Sequence, residues 1–197
     1  MYTESFNNLV EGLKLLPGVG PKTAERMAFY LLTLEKEKCL FLANSIKEAK
    51  EKIKKCRICN NYTEQDICSI CQDTSREKDK LCIVDDSKTI YLIEELNKYK
   101  GFYHIIDNLI SPLNGINPED IGIEKLLSRI KEGNFKEVII AVKPSIEGET
   151  TALYLKQILN EYGLKVTKLA SGIPMGADIE YIDKITLEKA MIERKEI

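Results

Sequence analysis

Phe6, Leu9, Val10 and Leu13 recur at i, i+3, i+4 and i+7, the spacing of an amphipathic helix with one buried stripe. That pattern stops at Pro17-Gly18, and Pro21 suits the first position of a second helix, where its missing N–H is not needed. Ala24, Met27, Ala28, Leu31 and Leu32 give the second helix its apolar stripe. A third helical stretch runs from Glu35 to Lys55, with Leu40, Ala43, Ile46 and Ile53 as its inner face. Its last turns are rich in lysine, which a helix C-terminus favours, and they read either as a solvated face or as a phosphate track.

The texture changes at residue 56. Residues 56–80 are poor in large aliphatics and crowded with Cys, Asn, Asp, Thr and Gln, so something other than an apolar core must order them. From Leu81 a third rhythm begins. Leu81–Val84, Phe102–Ile106, Val138–Val142 and Lys165–Ala170 read as strands, and Thr89–Tyr99, Ile123–Lys131 and Thr150–Tyr162 as helices between them. Such alternation predicts right-handed crossovers and a mostly parallel sheet covered on both faces, so residues 81–175 form an α/β domain, with Thr186–Ile197 as a closing helix. Ligands of such sheets gather at the carboxyl ends of the strands. Here those ends are Asp85-Asp86, the Asp107–Gly122 loop, Lys143–Glu149 and Ser171–Gly176.

Composition narrows the choice of function. With 44% hydrophobic and 30% charged residues in 197, the chain folds rather than remaining disordered. Its longest uncharged apolar windows span eight residues, well short of the ~20 needed to cross a bilayer. The start, Met1-Tyr2-Thr3-Glu4, carries no secretion signal, which points to the cytoplasm. A net charge of −2 argues weakly against a general nucleic-acid binder. The charge is unevenly spread, however. Residues 1–55 carry ten Lys and Arg against seven Asp and Glu, and residues 81–197 carry fifteen against nineteen. There is one histidine, so mechanisms built on histidine bases or histidine metal sites have little to work with.

Four cysteines read Cys56-x2-Cys59-x8-Cys68-x2-Cys71, two knuckles able to deliver four thiolates to one zinc ion at about 2.3 Å. Two disulfides or four free thiols are the alternatives, and nothing marks the chain for an oxidising compartment. Four sulfur ligands leave no open position, so the ion is structural and not catalytic. Cys39 and Cys82 read as small core residues.

Leu16–Ala24 joins the first two helices through Pro17-Gly18-Val19-Gly20 and resembles the helix-hairpin-helix motif of DNA-binding proteins. Backbone N–H groups at Gly18, Gly20 and the start of the second helix would face a phosphate, and Lys22 and Arg26 share one helix face above it. Such contacts hold nucleic acid without reading its bases. The plainer reading is a hairpin whose glycines serve only the turn.

Asp85 and the pair Glu147-x-Glu149 follow two of the predicted strands, and like charges about 4 Å apart repel by roughly 4 kcal/mol at an effective dielectric of 20. A magnesium ion or a basic partner would relieve that. The arrangement resembles the Toprim fold, in which a Glu and an Asp-x-Asp pair hold magnesium. Asp85 and Glu147-x-Glu149 change side-chain reach by a methylene at each position, which disfavours a magnesium catalyst and leaves solvated or partner-binding acids. No Gly-x4-Gly-Lys-Ser/Thr phosphate loop supports a nucleotide-binding adaptor.

Taken in order, the parts resemble the RecR family of recombination mediators. The resemblance rests on Leu16–Ala28, the four-cysteine segment with Tyr62-Thr63-Glu64, Cys82-Ile83-Val84, Ser111–Ile116, Ile146–Ala152 and Ala170–Gly176. The family usually has Glu-Ser where Asp85-Asp86 stands, and Asn or a small residue at Lys143. The resemblance implies four parts. These are a helix-hairpin-helix DNA-binding and oligomerisation region (1–55), a four-cysteine zinc finger (56–71), a Toprim domain (79–174) and a C-terminal segment (175–197). It implies one zinc ion per chain and a non-enzymatic DNA-repair role with RecO and RecF at single-stranded gaps, where RecA replaces single-strand-binding protein. Dimers and ring-shaped tetramers around DNA are also implied. The competing expectation is a magnesium-dependent Toprim enzyme acting on DNA.

Overall fold

A computed structural model describes residues 2–170, 172–194 and 196. They form two compact units, one ending at Ile53 and the other beginning at Lys54. Ser171, in the last strand-end segment, and Lys195 and Ile197, at the end of the expected closing helix, lie outside the described residues.

The first unit holds α1 (Glu4–Lys14), α2 (Pro21–Thr33) and α3 (Lys36–Lys52). Thr3 begins α1, its hydroxyl accepting from the Phe6 N–H. Phe6 is buried beneath Phe29, with ring centroids 4.7 Å apart, and the fully buried Ala24 and Ala28 let α1 and α2 approach closely. The expected inner face of α3 is corrected by the structure. No residue of α3 is buried, and Leu40, Phe41 and Ile46 are half or more exposed. The stripe exists in the sequence, but no element of the unit covers it. The helix also ends at Lys52 rather than Lys55, because Ile53 turns extended and Lys54–Lys55 become β1, paired antiparallel with β2 (Tyr62–Thr63).

The second unit continues with α4 (Ser69–Gln72), β3 (Lys80–Val84), α5 (Ser87–Glu95), β4 (Phe102–Ile105), α6 (Ile123–Glu132), β5 (Glu137–Ala141), α7 (Ile146–Asn160), β6 (Lys165–Lys168) and α8 (Lys184–Ile192). The strands β4-β3-β5-β6 form one parallel sheet in that order, with Val84 opposite Ile105 and Ala141. Alternation along β3 sorts the core. Leu81 and Ile83 pack with Leu126, Ile130, Leu155 and Leu159 of α6 and α7, while Cys82 and Val84 pack with Ile90 of α5 and Tyr103.

Three expected helices change their bounds. α5 begins at Ser87 because Asp86 accepts from the Thr89 N–H at 2.8 Å, and it ends early where Asn97 takes a left-handed backbone. α7 begins at Ile146, capped by Ser145, so Glu147 and Glu149 sit in its first turn and not in a loop. α8 begins at Lys184, with Asp183 accepting from the Thr186 N–H at 2.9 Å.

The cysteine segment docks on the edge of β4 at its carboxyl end. Ile105 N–H donates to the Cys59 carbonyl and Asn60 Nδ2 donates to the Ile105 carbonyl, both at 2.8 Å. Unpaired strand edges invite aggregation, so this docking protects the sheet and fixes the cysteine segment together.

Candidate nucleic-acid interface and metal centre

The hairpin between α1 and α2 is built from backbone. Gly18 turns the chain at φ +79°, and Val19 N–H closes the turn on the Leu16 carbonyl at 3.1 Å. Gly20 has an ordinary φ of −80° and is the N-cap of α2, and a Cβ there would meet nothing within 4 Å. Neither backbone conformation nor packing therefore requires glycine at position 20. A bare, open backbone at that point leaves room for close approach by a ligand. Among the described residues no side chain caps α2, so its first N–H groups face outward, where a helix N-terminus favours an anion. Lys22 and Arg26 are exposed one turn apart and, among the described residues, form no ion pair.

Cys56, Cys59, Cys68 and Cys71 come together. All four sulfurs lie within 4.8 Å of one another, and the first three cysteines are buried. Tetrahedral ligation at about 2.3 Å requires sulfurs roughly 3.8 Å apart, so the cluster fits one zinc ion. No disulfide joins any of these four cysteines. Backbone N–H groups of Asn61 and Cys68 point at Cys59 Sγ and Cys56 Sγ at 3.5 and 3.3 Å, the donor pattern that stabilises thiolates. Hydrogen bonding among the sulfurs pushes Cys68 down and Cys59 and Cys71 up. Four thiolates packed this closely repel one another, and a cation among them relieves that. Asn60 makes the knuckle's tight turn at φ +65°.

Sequence spacing offers no hint of two cations beside this cluster. Lys125 and Arg129, four apart on α6, reach it across the chain: Lys125 Nζ donates to Asn60 Oδ1, and Arg129 Nη2 lies 4.0 Å from Cys71 Sγ. Arg129 Nη1 also donates to the Tyr103 carbonyl and lies 3.4 Å from His104 Nδ1. The lone histidine is thus fully buried in β4, and burial together with Arg129 and Lys125 pushes it down to about 3, so it stays neutral.

The acidic residues after these strands separate into two places. Asp85 and Glu147 line one cavity of about 320 Å³ with Ser111, Asn114 and Lys143. Lys143 N–H points at Asp85 Oδ2 at 3.4 Å. Glu147 is held below the ordinary carboxylate range by its own backbone N–H and by Ser145, with the Lys143 charge adding to this. Glu149 faces elsewhere. Its carboxylate takes Lys168 and Lys189, each at 2.9 Å, and both hold its carboxyl below the usual range. Two ammonium groups on one carboxylate leave it little need of a metal. Gly148 between them is required by close approach, because a Cβ there would lie 2.0 Å from the Lys143 carbonyl.

Four family models match successive stretches of the chain. Residues 6–50 match the RecR helix-hairpin-helix family, 53–73 the RecR four-cysteine zinc finger domain, 79–170 the Toprim domain and 172–195 the RecR C-terminal family. Over 196 residues the chain is 41% identical to recombination protein RecR of Natranaerobius thermophilus, covering 100% of this chain and 98% of that protein. The chain belongs to the RecR family. RecR membership implies a role in recombinational DNA repair. It also places the four clustered cysteines in the stretch matched by the RecR zinc finger, and the uncovered α3 in the stretch matched by the RecR hairpin region. No helix among the described residues is long and apolar enough to cross a membrane.

Proposed function

We propose that this chain is a non-catalytic DNA clamp of cytoplasmic recombinational repair, which holds gapped DNA and, with RecO and RecF, helps RecA load onto the single strand. The observation that carries the reading is the open N-terminus of α2, where Gly20 leaves the backbone bare beside the exposed Lys22 and Arg26. Gly18, Gly20, Lys22 and Arg26 contact the sugar-phosphate backbone and not the bases, so binding is independent of sequence. Cys56, Cys59, Cys68 and Cys71 hold one structural zinc ion. Residues 1–55, 56–71, 79–174 and 175–197 act as hairpin, finger, Toprim and C-terminal parts.

Self-assembly into dimers and ring tetramers is supported by the first unit. An apolar groove of about 460 Å³, lined by Leu9, Leu13, Leu31, Leu40, Ala43 and Ile46, lies open among α1, α2 and α3. A contiguous apolar surface of this kind marks an interaction site, and a second copy of the same region is its occupant. The acidic surface around Asp85 and Glu147 receives a basic partner, RecO, and charge complementarity there speeds capture.

Gapped duplex labelled at one end, incubated with the protein and magnesium, tests the reading. Saturable binding with intact DNA is expected. Cleavage that disappears in Asp85→Ala and Glu147→Ala variants would establish an enzyme instead.

A further inference from the structure

Four thiolates around one divalent ion carry a net double negative charge, and burying such a group is costly without compensation. The cluster is buried, and two cations lie beside it from a single helix face. Lys125 and Arg129 stand four apart on α6, one turn of the same stripe. Lys125 holds Asn60, the residue that shapes the first knuckle and also ties it to the edge of β4. Arg129 reaches Cys71 of the second knuckle, and the same guanidinium donates to the Tyr103 carbonyl on β4. Phe135 faces the guanidinium, with the Arg129 carbon 5.9 Å from the ring centroid.

We infer that Arg129, assisted by Lys125, is the counter-charge of the zinc–thiolate centre and a positioning residue that couples zinc occupancy to docking of the finger on the sheet edge. The inference rests on the zinc reading of the four cysteines. An ion at the centre fixes four thiolates, and their charge draws the guanidinium onto Cys71 while its other nitrogen grips β4. Loss of the ion removes the charge that Arg129 answers, so the finger loosens from Ile105 and the edge of β4 opens. Outer partners of metal ligands commonly change metal affinity about 10–100-fold, so the effect is measurable. The pair sits 54 to 73 residues along the chain from the cysteines, so spacing within the knuckles does not reveal it.

The test uses full-length protein loaded with zinc or with cobalt, in the parent and in Arg129→Met, Arg129→Lys and Lys131→Met variants. Lys131 lies on the same helix but over the Tyr162 ring, so it controls for loss of a surface charge. Arg129→Met is expected to release zinc to a chelator about 10-fold faster or more. It is also expected to shift the thiolate-to-cobalt absorption to lower energy, because a thiolate without a cationic donor is easier to oxidise. Arg129→Lys should fall between it and the parent, and Lys131→Met should match the parent. If Arg129→Met does not fold, the lysine variant decides by the same two readouts. Unchanged release and an unchanged cobalt spectrum in the folded variants overturn the inference. A parent protein with no tetrathiolate cobalt spectrum would overturn the metal centre itself, which keeps the two failures apart.

Discussion

Lys189 Nζ in α8 lies 2.9 Å from Glu149 Oε1 in the first turn of α7, and the same carboxylate receives Lys168 of β6 at 2.9 Å. The contact ties the C-terminal helix to the sheet across 40 residues of chain. It gives Glu149 a structural occupation, and it explains why Asp85 and Glu147 are left as the acidic pair that faces the other cavity.

Replacing Glu149 with Gln should therefore loosen α8 while leaving the sheet intact. The pair is about one-third exposed, so the cost is about 1 kcal/mol. Faster hydrogen exchange in 184–192, without change in β3 and β5, is the expected result. The carboxyl's folded value lies below 4.5, so its contribution is present above that pH and fades as pH falls through the folded value. Acidification below about 4.5 should release α8 in the parent protein, while Glu149→Gln should show no such step.

Metal removal should be felt beyond the finger. Cys68→Ser is expected to abolish stoichiometric zinc and to raise exchange across 56–71 and at Ile105, whose N–H is held by the Cys59 carbonyl. Structural zinc contributes on the order of 10 kcal/mol of apparent folding free energy in small modules, so the segment should lose its order entirely. Protection of Ile105 that survives zinc loss would show that the edge docks without the ion.

Arg76 supplies a different anchor. Its side chain is 8% exposed, pairs with Glu94 and donates to the Gly101 carbonyl at 2.8 Å, while the Tyr103 hydroxyl donates to Glu94 at 2.7 Å. Arg76→Met leaves a partly buried carboxylate without its cation and should destabilise the second unit by about 3 kcal/mol. Thermal unfolding should fall by roughly 6–12 °C for a unit of this size. DNA binding measured well below that temperature should be unchanged.

The two hairpin glycines should separate conformation from contact. Gly18→Ala forces a side chain into a left-handed turn and should cost about 1 kcal/mol of stability. Gly20→Ala meets open space at an ordinary φ and should cost about 0.5 kcal/mol, yet it should weaken DNA binding by blocking approach to the α2 N-terminus. Equal losses of stability and no loss of binding in Gly20→Ala would remove the backbone from the contact.

Much of this fold is readable from local pattern. Leu81–Val84 is a continuous apolar run because a parallel strand is covered on both faces, and the alternation of strands and helices from there on gives the parallel sheet. The cysteine spacing announces its cluster for a similar reason, since two short knuckles carry their geometry with them. What escapes the sequence is non-local. The apolar stripe of α3 has the same period whether or not anything covers it, so periodicity alone cannot show that Leu40 and Ile46 are exposed. Glu149 reads as a partner of Asp85 until the cations 19 and 40 residues further on are seen to hold it. The start of α7 is hidden because Gly148 weakens helix propensity while serving a close backbone contact.

Salt dependence of binding to gapped DNA is the most direct measurement of the central claim. The affinity of the parent protein should fall steeply with salt. Lys22→Ala with Arg26→Ala should bind more weakly and flatten the logarithmic slope by about 1.5 for each protomer engaged, as expected for two lost phosphate contacts. An unchanged slope and affinity in the double variant would contradict the account, because the grip on DNA would then lie outside the α1–α2 hairpin.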